Sequence, residues 1–162
     1  MRRLAGYALA AAVLAADQGI KFWVLGNTPL QSGAVLTVLP VLNFVMVWNH
    51  GITFGLFAGV ASKALLAAVA LVVVAVLGVW LWRCRNLAES LAIGAIAGGA
   101  LGNIIDRLHY GAVVDFLQMH AGPVFFPWIF NFGDACIDCG VAVLFLDYLF
   151  ARPPVAAGRG EG

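Results

Sequence analysis

Charged residues are scarce in this chain. Asp, Glu, Lys and Arg make up 10% of its 162 residues, against roughly 25% in an average soluble domain. So little charge cannot clothe a water-soluble globule, and that class is excluded. Cysteine is scarce too: Cys84, Cys136 and Cys139 are too few and too unevenly placed for a disulfide framework. Cys84 sits between Arg83 and Arg85 while the other two open an apolar run, so all three read as small buried hydrophobes. Neither sign of charge accumulates. A net charge of +1 says nothing by itself about nucleic acid or acidic partners, and no nucleic-acid partner is expected.

What is abundant is apolar. Hydrophobic residues make up 63% of the chain and the mean hydropathy is +0.97, which implies an integral membrane protein. At about 20 residues per helical span, the length allows about four spans and one modest extramembrane segment. The expected fold is an all-α membrane protein, one four-span domain over residues 1–152, with spans at about 4–25, 64–82, 87–108 and 134–150. The first run, following Met1-Arg2-Arg3, also has the basic start and Ala/Leu core of a signal peptide. Its apolar character resumes past Asp17, however, and the full length suits a span better.

Residues 26–60 change character. Gly26, Pro29, Gly33 and Pro40 punctuate short β-rich pieces too broken for a helix. The aromatic residues Phe44, Trp48, Phe54 and Phe57 suit a segment lying at the bilayer interface, the plainer alternative being a re-entrant loop. After a Pro-Pro breaker, the tail 153–162 is expected to be disordered. Six of the nine basic residues (Arg2, Arg3, Arg83, Arg85, Arg152 and Arg159) fall on one side of this arrangement, and Lys21, Lys63 and Arg107 fall on the other. The excess of basic residues marks the cytoplasmic side, so both termini are expected inside, with residues 26–60 and 109–132 outside.

Four of the eight acidic residues, Asp106, Asp115, Asp134 and Asp138, lie in the stretch Gly102–Asp138. Depth gives them a common level. Asp17 lies 14 residues beyond Arg3, about 21 Å along a helix that rises 1.5 Å per residue. Asn103 lies 14 residues past Glu89, so it reaches a similar depth, with Asp106 and Arg107 one turn further out. Ionisable residues in a membrane usually face the bundle interior and serve function. Asp17 with Lys21, and Asp106 with Arg107, are equally explicable as structural ion pairs. Asp115 and Asp134 have no local basic partner, although helix N-capping by Asp134 is an ordinary explanation for that residue. Two carboxylates sharing one proton can polarise a water and protonate a leaving group. From the residues alone, an aspartyl hydrolase and an ion or proton pathway through Asp17, Asp106 and Asp138 both stay open. Cys136-x-x-Cys139 offers a third reading, a thiol oxidoreductase, which lacks the second cysteine pair that such enzymes need.

Five blocks carry a resemblance: Asp17-Gln18 with Lys21; Asn49-x-Gly51 with Phe54; Gly102-Asn103-x-x-Asp106-Arg107; Val113-Val114-Asp115-Phe116; and Phe130-Asn131-x-x-Asp134. In these the chain resembles the lipoprotein signal peptidases (signal peptidase II), four-span aspartyl proteases of the bacterial cytoplasmic membrane. The resemblance implies cleavage of a diacylglyceryl-modified prolipoprotein before its lipidated cysteine, at the extracytoplasmic face and among membrane lipids, by a monomer. It implies Asp115 and Asp134 as the catalytic pair, with Asp17, Asn49, Asn103, Asp106, Arg107 and Asn131 binding substrate or bracing the site. It implies no metal or organic cofactor, and His50, His109 and His120 are too scattered to suggest a site of their own. Gly133 stands where alanine is commoner in the family. Asp138 is not part of the pattern; pairing with Asp106 or Arg107, or like-charge proximity to the catalytic carboxylates, are its candidate roles.

Overall fold

The computed structural model describes residues 1–51, 63–84 and 86–150. Phe54, Phe57 and the rest of residues 52–60, together with Arg85, Arg152, Arg159, the tail 153–162 and the side chain of Lys63, lie outside the described residues. The described chain is mostly helical: α1 (Arg2–Asn27), α2 (Lys63–Arg83), α3 (Leu87–His109) and α4 (Phe132–Phe150). A short 3-10 turn at Pro29–Ser32 leads from α1 into the strands β1 (Val35–Leu39) and β2 (Leu42–Asn49). Strands β3 (Val113–Ala121) and β4 (Val124–Phe130) join α3 to α4.

Helix α3 is the centre of the bundle, and small residues explain why. Where it meets α1 and α4 it carries Gly94, Gly98, Gly99 and Gly102, so helix backbones approach closely. A Cβ on Gly98 would lie 2.5 Å from the Ala10 carbonyl oxygen. One on Gly94 would run into the Gly6 carbonyl, and one on Gly99 into the carbonyl of Gly133. Leu77, Leu81, Ile93, Ile96 and Ala97 fill the space between α2 and α3. The N-terminus of α3 is capped by Asn86, whose side chain accepts from Glu89 N at 2.7 Å.

Outward faces are apolar. On α2, Val69, Leu71, Val72, Val73, Val76 and Val79 are all exposed, an apolar surface of the kind that meets a membrane or another protein. Among the described residues, α1 and α3 are long and apolar enough to cross a membrane. The described apolar stretch of α2, Ala68–Arg83, is shorter, and α4 carries Asp134, Asp138 and Asp147.

The strands form one antiparallel sheet in the order β1-β2-β3-β4. Half of it comes from residues 113–130, which the sequence pattern presents only as a connection. The signal was hidden for two reasons. Val113 to Phe116 are all buried, so the run lacks the alternation of a half-exposed strand. Strand β4 contains Pro127, which is tolerated because β4 is an edge strand. Gly111, with φ of 74°, turns the chain out of α3, a left-handed conformation that favours glycine. Asp106 Oδ2 then accepts from Val114 N at 3.1 Å and ties the start of β3 back to α3. Val114 and Phe116 pack with Val24 and Leu30 beneath the sheet.

Candidate active site

Five elements, α1, β2, α3, β3 and α4, bring polar side chains together. Asp17 and Lys21 sit one turn apart on α1 and are buried, as are Asn103 and Asp106 on α3. The expected ion pair within α1 forms, with Lys21 Nζ 2.8 Å from Asp17 Oδ2. Asp106 does not pair with Arg107. It turns instead to Lys21 Nζ at 2.7 Å and accepts from Gln18 Nε2 at 3.0 Å. Adjacent residues on a helix point about 100° apart, so Asp106 and Arg107 face different neighbours. Asp17 Oδ1 accepts from Gly133 N at 2.9 Å, which fastens the start of α4 to α1.

Asp134 does not cap its helix. Asn131 is the N-cap: its Oδ1 accepts from Asp134 N at 2.9 Å, and Asp134 Oδ2 accepts from Asn131 N at 3.2 Å. Asp134 is thereby placed inside the first turn, where Asn103 Nδ2 donates to its Oδ1 at 2.8 Å. Asp115, 1% exposed on β3, accepts from Asn131 Nδ2 at 2.7 Å on Oδ1 and from Asn49 Nδ2 at 2.9 Å on Oδ2. Asn131 thus bonds to both carboxylates. Asn49 Oδ1 accepts from Gly51 N at 3.0 Å, and Arg107 Nη2 donates to Gly51 O at 2.9 Å. Arg107 Nη1 donates to Asn103 O at 3.3 Å, so this guanidinium braces the Asn49–Gly51 turn.

Burial pushes the Asp115 carboxyl up to about 7, and the neighbouring charge of Asp134 adds to the rise. The donors Asn49 and Asn131, and the more distant charge of Lys21, pull in the opposite direction. A carboxyl in that range can hold or release its proton near neutral pH, as acid–base chemistry requires.

Each residue expected to cut, bind or brace, Asp17, Asn49, Asn103, Asp106, Arg107, Asp115, Asn131 and Asp134, lies in this network; Asp138 does not. Asp138 is exposed, and the partners of Asp106 and Arg107 are those given above. Its pairing with either is therefore overturned. It lies one turn beyond Asp134, on a side of α4 turned away from α3. Three contributors were not on the sequence's site list: Gln18, the carbonyl of Gly51 and Lys21. All three stand in the blocks that carry the resemblance, and Lys21 had a further signal in its spacing of four from Asp17.

Asp115, buried, and Asp134, half-buried, thus lie among asparagine donors where the helices meet the sheet. The sequence matches the signal peptidase (SPase) II family over residues 9–150, and the chain belongs to that family of peptidases. It is 45% identical over 145 residues to the lipoprotein signal peptidase of Methylorubrum extorquens (strain PA1), covering 88% of this chain and 84% of that one. It is 41% identical over 143 residues to the lipoprotein signal peptidase of Caulobacter vibrioides, covering 87% and 84%. Two solved structures of a bacterial membrane enzyme, determined in meso at 2.3 Å and 1.9 Å resolution, superpose with TM-scores of 0.78 and 0.77. Both are 27% identical; the matches cover 89% and 91% of this chain, and 87% and 94% of theirs.

Proposed function

We propose that the chain is a membrane-embedded aspartyl endopeptidase that removes signal peptides from diacylglyceryl-modified prolipoproteins, cutting before the lipidated cysteine. The substrate class follows from the relatives, which are named lipoprotein signal peptidases. The observation that carries the mechanism is the convergence of both carboxylates on the one residue Asn131, whose side-chain NH2 donates to Asp115 and whose backbone N–H donates to Asp134. With one proton between them, one carboxylate takes a proton from water as the water oxygen adds to the scissile carbonyl. The other gives its proton to the carbonyl oxygen. The tetrahedral intermediate then collapses: the C–N bond breaks, the departing amine takes the proton that came from water, and one hydroxyl of the intermediate returns its proton to the second carboxylate as the carbonyl re-forms. Asn49, Asn103 and Asn131 hold the two carboxylates. Arg107, Asp17 and Asp106 brace the elements that carry them.

In this reading all four helices cross the bilayer as one domain and both termini are cytoplasmic. The carboxylates lie at the extracytoplasmic face, level with lipid headgroups, where the lipid-anchored cysteine of a substrate is held. The protein acts as a monomer surrounded by lipid. The expected topology rests on the excess of basic residues at the ends far from the carboxylates.

The deciding experiment follows processing of a lipidated prolipoprotein by purified Asp115→Asn and Asp134→Asn enzymes. Each is expected to lose on the order of 10²–10⁴-fold in rate, the contribution of a positioned acid or base. Cleavage at the wild-type rate by either variant would overturn the assignment. Cys136→Ser and Cys139→Ser are expected to cleave normally, and their failure would favour thiol chemistry instead.

A further inference from the structure

Lys21 makes no hydrogen bond to Asp115 or Asp134, yet the amide bonds that reach both of them begin at its ammonium. Lys21 is 2% exposed. Its Nζ has three acceptors: Asp17 Oδ2 at 2.8 Å, Asp106 Oδ2 at 2.7 Å and Asn103 Oδ1 at 3.0 Å. An ammonium has three donors and no acceptor, so Asn103 must face it with oxygen. The same oxygen accepts from Asn131 Nδ2 at 3.1 Å, which uses its second lone pair. The Asn103 nitrogen is thereby turned towards Asp134 Oδ1, at 2.8 Å.

The constraint propagates. Because Asn103 offers oxygen, Asn131 must answer with its NH2, and the second hydrogen of that NH2 goes to Asp115 Oδ1 at 2.7 Å. The Asn131 oxygen is left for Asp134 N, at 2.9 Å. An asparagine amide is nearly symmetric in shape, and a half-turn exchanges its oxygen and nitrogen. A half-turn of Asn103 here would set an NH2 against an ammonium and against a second NH2. The charge of Lys21 forbids it. Asp17 and Asp106 keep that charge in place, each being fixed in turn by a backbone N–H, from Gly133 and Val114 respectively.

We infer that Lys21 is a positioning residue: its charge fixes the direction of the Asn103 and Asn131 amides, so that each carboxylate of the reacting pair meets an N–H and not a C=O. The inference rests on the assignment of Asp115 and Asp134 as that pair. Without the ammonium, Asn103 is free to turn its carbonyl towards Asp134, where it repels the charged form and disturbs the sharing of one proton.

The test compares Lys21→Met with Lys21→Arg in detergent-solubilised enzyme acting on a lipidated prolipoprotein. Alongside the kinetics, the side-chain amide resonance of Asn103 is read in ¹⁵N-labelled protein. Lys21→Met is expected to lose about 100-fold in kcat, the worth of a hydrogen bond to a charged group at its upper end, with KM within about twofold. The Asn103 resonance moves while the backbone resonances of α3 stay, and Lys21→Arg, which keeps a donor, recovers most of the rate. A Lys21→Met enzyme with wild-type kcat, or one that loses kcat with the Asn103 resonance unmoved, would overturn the inference. Should Lys21→Met fail to fold, Asn103→Asp decides: it still accepts from Lys21 but has no N–H for Asp134. It is expected to show at least the same loss, with a lowered thermal midpoint because its second oxygen faces Asp134 Oδ1, and wild-type activity would overturn the inference. Asp134→Asn is the reference. If it cleaves normally the carboxylate pair itself is wrong; if it is inactive while Lys21→Met is active, only the role of Lys21 falls.

Discussion

Asn131 and Asp134 hydrogen-bond to each other in both directions, side chain to backbone, at 2.9 Å and 3.2 Å. The exchange is a capping box in asparagine–aspartate form, satisfying two backbone donors at the start of α4. It also fixes Asp134, while the remaining hydrogens of the Asn131 amide reach Asp115 and Asn103. One residue therefore starts a helix and joins the two carboxylates, by its side chain to Asp115 and by its backbone N–H to Asp134, so helix capping and site geometry are coupled here.

Asn131→Ala should consequently fail in two measurable ways. Loss of an N-cap costs about 0.5–2 kcal/mol, which lowers the thermal midpoint. Loss of the donor to Asp115 removes a hydrogen bond to a charged group, worth about 1.5–3 kcal/mol, or about 10–100-fold in kcat. Asn131→Ser keeps a capping oxygen but not the NH2. It should recover stability without activity; recovery of both would show that the amide is needed only as a cap.

How much of this was legible in the sequence depends on the kind of signal. The helices were, because lipid-facing residues need no alternation and long apolar runs stand out at Ala64–Trp82 and elsewhere. The level shared by Asp17, Asn103 and Asp106 was also legible, because rise per residue converts position into depth. Strands β3 and β4 were not. Burial of Val113–Phe116 on both faces erased their period, and Pro127 argued against a strand. The choice of partners was not legible either. Sequence places Asp106 next to Arg107, but the rotation between neighbours sends one to Lys21 and the other to Gly51. Nor could spacing show that Asn131, and not Asp134, caps α4.

Asp115 should leave a mark on stability as a function of pH. Its ordinary value of 3.8 is raised to about 7 in the folded protein, by burial first and then by the charge of Asp134. The folded state thus binds more protons than the unfolded state between those values. The contribution of Asp115 is full below about pH 4 and is lost as pH rises through about 7. Asp115→Asn, which cannot titrate, should show a thermal midpoint that declines less steeply from pH 4 to 8 than that of the wild type. Parallel curves would show that the carboxyl is not raised. In activity profiles, Asn49→Ala removes a donor that favours the charged carboxylate. It should move the apparent ionisation near pH 7 upward, and a downward move would contradict the geometry.

Gly102 offers the sharpest test of how closely α1 and α3 must meet. A Cβ there would collide with Asp17 Oδ2, the oxygen that Lys21 holds at 2.8 Å. Gly102→Ala must therefore displace Asp17 or part the two helices, and overpacking of this kind costs about 1–3 kcal/mol. Gly78→Ala is the matched control: a Cβ at Gly78 meets nothing within 4 Å, and the same substitution in an open helical site stabilises by about 0.4–1 kcal/mol. The expected result is a lowered thermal midpoint and at least about tenfold lower kcat for Gly102→Ala, against an unchanged rate for Gly78→Ala. Equal behaviour of the two variants would mean that the contact between Gly102 and Asp17 does not constrain the site. A stable but inactive Gly102→Ala enzyme would instead place the cost in the geometry of Asp17 and Lys21, since the helices would have kept their packing while the ammonium lost its position.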